Sequence, residues 1–204
     1  MSAVTLPVPR AVAKSDARRA ELAASALQTL GELGYARTSL REIAQNSPFS
    51  HGVVHYYFDS KVELIIHAVR EYKKVCVTRY DDAVIESQSA EELGRRFSER
   101  LVETLHDDIA MHRLWYDLRT AAMYEPELRD DVAEIDLTLE AMVWRIVTRF
   151  AELAGAKPAF DEPTTYALID GLFEKAVFAH LAGDPKAGAD LQSRVAGLVP
   201  ALLG

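Results

Sequence analysis

Apolar positions recur along this chain at intervals of three and four residues, and no run alternates apolar with polar residues for long. Leu22, Ala26, Leu30 and Leu33 mark one face of a first helix, predicted from about Asp16 and stopped by Gly34. Ser39 and Glu42 have the spacing of a capping box, so a second helix starts near Ser39. It is short, because Ser47-Pro48 cannot continue it. Ser50 is placed to cap a third short helix, His51 to about Tyr57. Asp59 or Ser60 opens a fourth, longer helix with the stripe Ile65, Val69, Tyr72, Cys76.

The pattern resumes after "IESQSAEEL". Leu93, Phe97, Leu101 and Leu105 form one helical face, and "IAMHRLWYDLRTAAMY" reads as another helix. From Leu128 to Leu153 a coiled-coil-like seam repeats through Val132, Ile135, Leu139, Met142, Ile146 and Phe150. "AGAKPAFDEP" breaks it. The stretch 164–182 carries two apolar stripes, Tyr166/Ile169/Phe173/Val177 and Leu168/Leu172/Ala179, where a surface helix of a monomer needs one. Burial toward its own domain and toward a second copy accounts for both, with the 128–153 helix as the other member of a four-helix dimer interface. A last amphipathic helix runs toward Leu203. The fold class is therefore all-α. It divides into a flexible arm at 1–13 with Pro7 and Pro9, a small head at 14–62 and a larger helical body at 63–204.

Composition narrows the class. No apolar run is long enough to cross a bilayer, and the first twenty residues lack a signal-peptide core, so no membrane partner is expected. Cys76 is the one cysteine, which suits a reducing cytoplasm; on an apolar stripe it reads as a buried, inert thiol. The net charge of −8 argues against a nucleic-acid partner until it is located. Residues 1–61 hold seven Lys and Arg against five Asp and Glu, a balance of +2, which leaves −10 for the remainder. A mildly basic head on an acidic body is compatible with a local phosphate-binding face.

Three short helices with tight turns, followed by a long one, describe a helix-turn-helix head whose third helix lies in the major groove. Val54 and Phe58 are four apart and face inward with Ile43 and Ala44. His51, Val53, His55, Tyr56 and Tyr57 are left outside, and Gly52 lets a phosphate or base edge approach the backbone. Val53 suits a thymine methyl and His51 a base edge; Arg41 reaches guanine or the backbone, and tyrosine hydroxyls with Lys61 suit phosphates.

The stretch from about Arg18 to Leu64 resembles the DNA-binding head of the tetracycline-repressor-like (TetR) family of bacterial regulators. The resemblance rests on Gly34-Tyr35, Thr38-Ser39, Ile43-Ala44, Ser50, Gly52 and the block His55-Tyr56-Tyr57-Phe58 followed by Ser60-Lys61. It implies that Arg41, His51 and Val53 face bases, and that Ser39, His55, Tyr56, Tyr57 and Lys61 hold backbone, with Ser50 and Gly52 at the start of the reading helix. Two positions depart from the family. His55 stands where a tyrosine is common, and Pro48 stands in the turn where glycine is usual. Proline fixes φ near −65°, so the turn is expected to take another conformation.

The resemblance also implies a body that binds a small-molecule effector and dimerises, and a protein that acts on a double-stranded DNA operator as a homodimeric repressor, without catalytic residues, metal or cofactor. Candidate cavity-lining residues are Trp115, Arg119, Met123, Met142, Phe173 and Val177; Leu168, Leu172 and Ala179 are candidates for the dimer interface. Rival readings are a helical metal-dependent hydrolase and a dimeric adaptor that no longer reads DNA. Asp108 and His112 in "HDDIAMH", and His51 with His55, are four apart, but neither pair has an evident third ligand, and the first reads as a solvated helix end.

Overall fold

The computed structural model describes residues 10–204 and consists of helices joined by short turns. The chain separates into two compact units, Met1–Glu71 and Tyr72–Gly204. The first contains α1 (Arg10–Leu33), α2 (Leu40–Gln45), α3 (His51–Tyr57) and most of α4 (Lys61–Cys76). The second begins with the last turns of α4. It continues through α5 (Asp81–Glu86), α6 (Ala90–Asp107), α7 (Ile109–Ala122), α8 (Pro126–Ala154), α9 (Glu162–Leu181) and α10 (Ala187–Ala201). Among the described residues no helix is long and apolar enough to cross a membrane.

In the N-terminal unit, the faces read from the sequence become one core. Leu22, Ala26 and Leu30 of α1, Ile43 of α2, Val54 of α3 and Leu64 with Ile65 of α4 are buried. Gly34, at φ 77°, ends α1 and returns its N–H to the Leu30 carbonyl at 2.8 Å. α1 starts at Arg10 rather than near Asp16, so residues 10–13, expected as part of a flexible arm, are helical. The rest of that arm lies outside the described residues.

Pro48 fits its turn without strain. No residue between α2 and α3 has positive φ, so the left-handed backbone that would require glycine is not used. Ser47 builds the turn instead. Its hydroxyl donates to the Ala44 carbonyl at 3.2 Å and accepts the Phe49 N–H at 3.2 Å.

In the C-terminal unit, α10 packs on α6 and α9, and α8 packs on α6, α7 and α9. The α8 seam from Leu128 to Phe150 is buried within this unit. An all-helical protomer needs a continuous apolar stripe on its longest helix for its own core, and this seam supplies it. α9 keeps both of its stripes in different environments. Tyr166, Ile169, Phe173 and Val177 are buried, whereas Leu168 and Phe178 are exposed and Leu172 and Ala179 are half-buried. The segment 81–86, whose apolar residues Ala83, Val84 and Ile85 are consecutive and too short a run to show a helical period, forms the short helix α5.

Candidate nucleic-acid interface and ligand cavity

The outer face of α3 is set by how firmly its inner face is held. Ser50 caps the helix, accepting the Val53 N–H at 3.4 Å. Val54 and Phe58 are buried. Arg19 of α1 lies 4.2 Å from the Phe58 ring centroid, donates to the Tyr57 carbonyl at 2.5 Å and pairs with Glu63 at 3.0 Å. Glu63 in turn accepts the Asp59 N–H at 2.8 Å. Burial raises the Glu63 pKa, but the bonds from Asp59 and Arg19 outweigh it, so the carboxyl stays ionised below the usual range. Ser60 caps α4 through the Glu63 N–H.

With that end fixed, His51, Gly52, His55 and Tyr56 are exposed, Tyr56 at 82%. Val53 and Tyr57 are half-buried. The His51 and His55 rings meet edge to face, with their Nε2 atoms 3.2 Å apart. The Tyr56 and Tyr57 rings also meet edge to face. On α2, Arg41 is exposed, and half-buried Ser39 caps the helix by accepting the Glu42 N–H while donating to the Glu42 carboxylate. Half-buried Lys61 donates to the Tyr35 carbonyl at 2.6 Å and lies 3.9 Å from the Tyr35 ring centroid, so its ammonium is held in place by α1's end. The exposed groups are hydrogen-bonding rings, a cation and bare backbone, the types that contact base edges and phosphates.

The C-terminal unit contains a partly open cavity of about 80 Å³. Its wall is mainly apolar and aromatic, with Leu101, Trp115, Leu139, Met142, Ile169 and Phe173 among the lining residues. Polar groups converge on it in three sets. Arg79 pairs with Asp108 at 2.6 Å and donates to Thr104. Asp170 accepts from Arg119 at 2.5 Å and from the Tyr116 hydroxyl at 3.0 Å; Arg119 also faces Asp136, which accepts from Tyr166 at 2.7 Å. Burial and then the Asp170 charge raise Tyr116 and Tyr166 far above the usual phenol range.

Lys73 forms the third set alone. It is 5% exposed, and its ammonium lies 4.8 Å from the Trp115 ring centroid. It makes no ion pair among the described residues, and burial pushes it down to about 8. His112 is buried against Phe173, not at a solvated helix end. Its Nε2 lies 3.0 Å from the Thr104 carbonyl, which only accepts, so Nε2 carries the proton. Burial, and then the Lys73 charge, push His112 down to about 4, leaving it neutral near pH 7. No group of three His, Cys, Asp or Glu among the described residues is arranged to hold a metal.

Of the residues expected at the cavity, Trp115, Met142 and Phe173 line it. Arg119 stands behind it and positions Asp170. Val177 is buried beyond the lining set, and Met123, at the end of α7, is 71% exposed. Lys73, Asp170 and His112 line the cavity without having been singled out for it. A signal for Lys73 was present: it lies four residues after Val69 and three before Cys76, on the apolar stripe of α4. Cys76 is buried and also lines the cavity.

Residues 22–68 match the sequence model of bacterial regulatory proteins of the tetR family. The chain is 30% identical over 118 residues to the HTH-type transcriptional regulator BetI of Stenotrophomonas maltophilia, a match covering 54% of this chain and 57% of that relative. Solved structures share the fold across nearly the whole length. A TetR transcription regulator from Haloarcula marismortui has a TM-score of 0.75 at 17% identity, covering 93% of this chain and all of its own. FadR from Bacillus subtilis, in complex with stearoyl-CoA, has a TM-score of 0.71 at 19% identity, over 88% of this chain and 96% of its own. A transcriptional regulator from Saccharomonospora viridis in complex with choline has a TM-score of 0.74 at 18% identity, over 93% and 98%.

Proposed function

We propose that this chain, whose residues 22–68 match the tetR family of bacterial regulatory proteins, is a homodimeric repressor released from its operator by a small molecule. The observation that carries this reading is the division of α3. Val54 is fully buried while His51, Gly52, His55 and Tyr56 around it stay in solvent. In this reading His51, Val53 and Arg41 face bases. Ser39, Ser50, His55, Tyr56, Tyr57 and Lys61 fix the backbone, with Lys61 turning from the Tyr35 carbonyl to share a phosphate.

One head of this size contacts a few base pairs, so specificity calls for two copies on two half-sites. The exposed side of α9, with Leu168, Phe178 and the half-buried Leu172 and Ala179, is the apolar surface that a second copy covers. The cavity of the helical body takes the effector. Two proteins of this fold are solved in complex with stearoyl-CoA and choline, which supports a small-molecule ligand here. Release follows if the ligand binds better to the state whose heads do not match the operator, and operator affinity then falls by the ratio of the two ligand affinities.

The test is selection of genomic fragments by the purified protein, followed by the mass of the complex formed. The reading expects enrichment of a short, two-fold-related sequence carrying two copies of the chain per half-site pair. Uniform recovery of all fragments would count against it.

A further inference from the structure

The polar groups around the cavity are unequally satisfied, and the inequality has a sign. Its carboxylate, Asp170, already accepts from Arg119 and Tyr116. Arg79 is paired with Asp108, and His112 spends its proton on Thr104. Two donors are left over. The Lys73 ammonium is 95% removed from solvent with no carboxylate in ion-pair range among the described residues. The Trp115 indole N–H is buried with no hydrogen-bond partner. Both residues line the cavity, and the ammonium lies over the indole. Buried donors without acceptors are costly and are rarely left so.

From this we infer that the cavity takes a small organic acid, whose carboxylate accepts from Lys73 and the Trp115 indole N–H while its apolar part rests against the aliphatic and aromatic wall. This rests on the cavity being the effector site. A cationic ligand finds a poor match here, because it would meet the Lys73 ammonium, which only the more distant Asp170 and Asp136 charges offset, and a carboxylate already engaged. A neutral amide would satisfy the indole but leave the lysine charge buried. Lys73, held down to about 8 by burial, gains protonation when an anion arrives, so binding above pH 8 takes up a proton.

The experiment is titration calorimetry of the full chain at pH 7 with hexanoate and benzoate, against hexanamide, benzamide and choline. The acids are expected to bind at least tenfold more tightly than the amides, and choline more weakly than either. Lys73→Met should remove that preference and leave amide binding within about twofold. Trp115→Phe should weaken acids while keeping the ring. Repeating the hexanoate titration at pH 8.5 in buffers of different ionisation enthalpy should show proton uptake by the wild type and none by Lys73→Met. Should Lys73→Met unfold, Lys73→Gln and the proton uptake of the wild type decide the matter. Amides or choline binding as tightly as the acids, an acid preference that survives loss of Lys73, or no binding by either acid would overturn the inference. DNA binding by the same samples separates the two readings. Operator release by choline or an amide keeps the regulator and removes the acid. Acids bound through Lys73 without any effect on operator affinity keep the acid site and remove its role as effector site.

Discussion

The Lys73 ammonium lies 4.8 Å from the centroid of the Trp115 ring and has no carboxylate partner among the described residues. A cation over an aromatic face recovers about 0.5–2 kcal/mol, less than burial of an unpaired ammonium costs. Lys73 therefore destabilises the fold. Its pKa is about 8 in the folded chain against 10.5 for a free side chain. Below pH 8 the unfolded chain keeps this proton as the folded chain does, and the whole penalty stands. Between about 8 and 10.5 the unfolded chain binds more protons, so stability rises with pH. Urea unfolding from pH 7 to 10.5 should show that rise in the wild type. In Lys73→Met it should be flattened, with a higher midpoint at pH 7.

His112 adds a slope of the same sign at the acidic end. It is held to about 4 by burial against 6.5 when free, so the unfolded chain takes a proton that the folded chain refuses between those values. Stability should fall as pH drops from 6.5 toward 4, and His112→Gln, which keeps a donor toward Thr104, should reduce that part of the loss.

Arg19 joins α1 to the end of α3 and the start of α4 through the Phe58 ring, the Tyr57 carbonyl and Glu63. Arg19→Ala should destabilise the N-terminal unit by about 1–3 kcal/mol, because the Tyr57 carbonyl and Glu63 both lose their charged donor. Hydrogen exchange should quicken at 57–63 more than at α2. Operator affinity should fall although Arg19 faces the interior of the motif.

Much of the head was legible because its signals are local. Ser39 and Ser50 cap the helices their spacing predicts, Gly34 takes the left-handed turn, and Val54 and Phe58 face inward. What was not legible depends on distant partners. Periodicity showed that the 128–153 seam is buried but not against what, and the protomer's own α6, α7 and α9 cover it. His112 looked solvent-facing beside Asp107 and Asp108 until Thr104 and Phe173 closed over it. Pro48 looked misfitted because its turn was compared with a glycine turn, whereas Ser47 makes a different one.

That turn gives its own prediction. Pro48→Gly should not relieve any strain. It should lower stability by about 0.4–1 kcal/mol, since the unfolded chain gains freedom and no positive φ is used. Ser47→Ala should cost more, as both of its turn bonds are lost. Chemical denaturation of the two variants checks the order.

Glycines separate packing from recognition. A methyl at Gly188 would lie 2.9 Å from His106 and 3.2 Å from Val102, so Gly188→Ala should loosen α10 on α6 by about 1–3 kcal/mol. A methyl at Gly197 meets nothing within 4 Å, and Gly197→Ala should stabilise α10 by about 0.5–1 kcal/mol. Gly52 is equally open, so Gly52→Ala should also be tolerated or mildly stabilising in the free protein. If DNA approaches the backbone there, the same methyl should weaken operator binding tenfold or more.

The most direct measurement of the central claim is operator affinity of the wild type, Tyr56→Phe and Gly52→Ala across 50–300 mM salt, against a scrambled duplex of equal length. The account predicts a linear fall of log affinity with log salt. It also predicts a preference for the operator over the scramble of at least a hundredfold, and losses in both variants without loss of folded stability. Equal affinity for both duplexes, or unchanged binding by Gly52→Ala and Tyr56→Phe, would contradict a DNA-reading role for this face of α3.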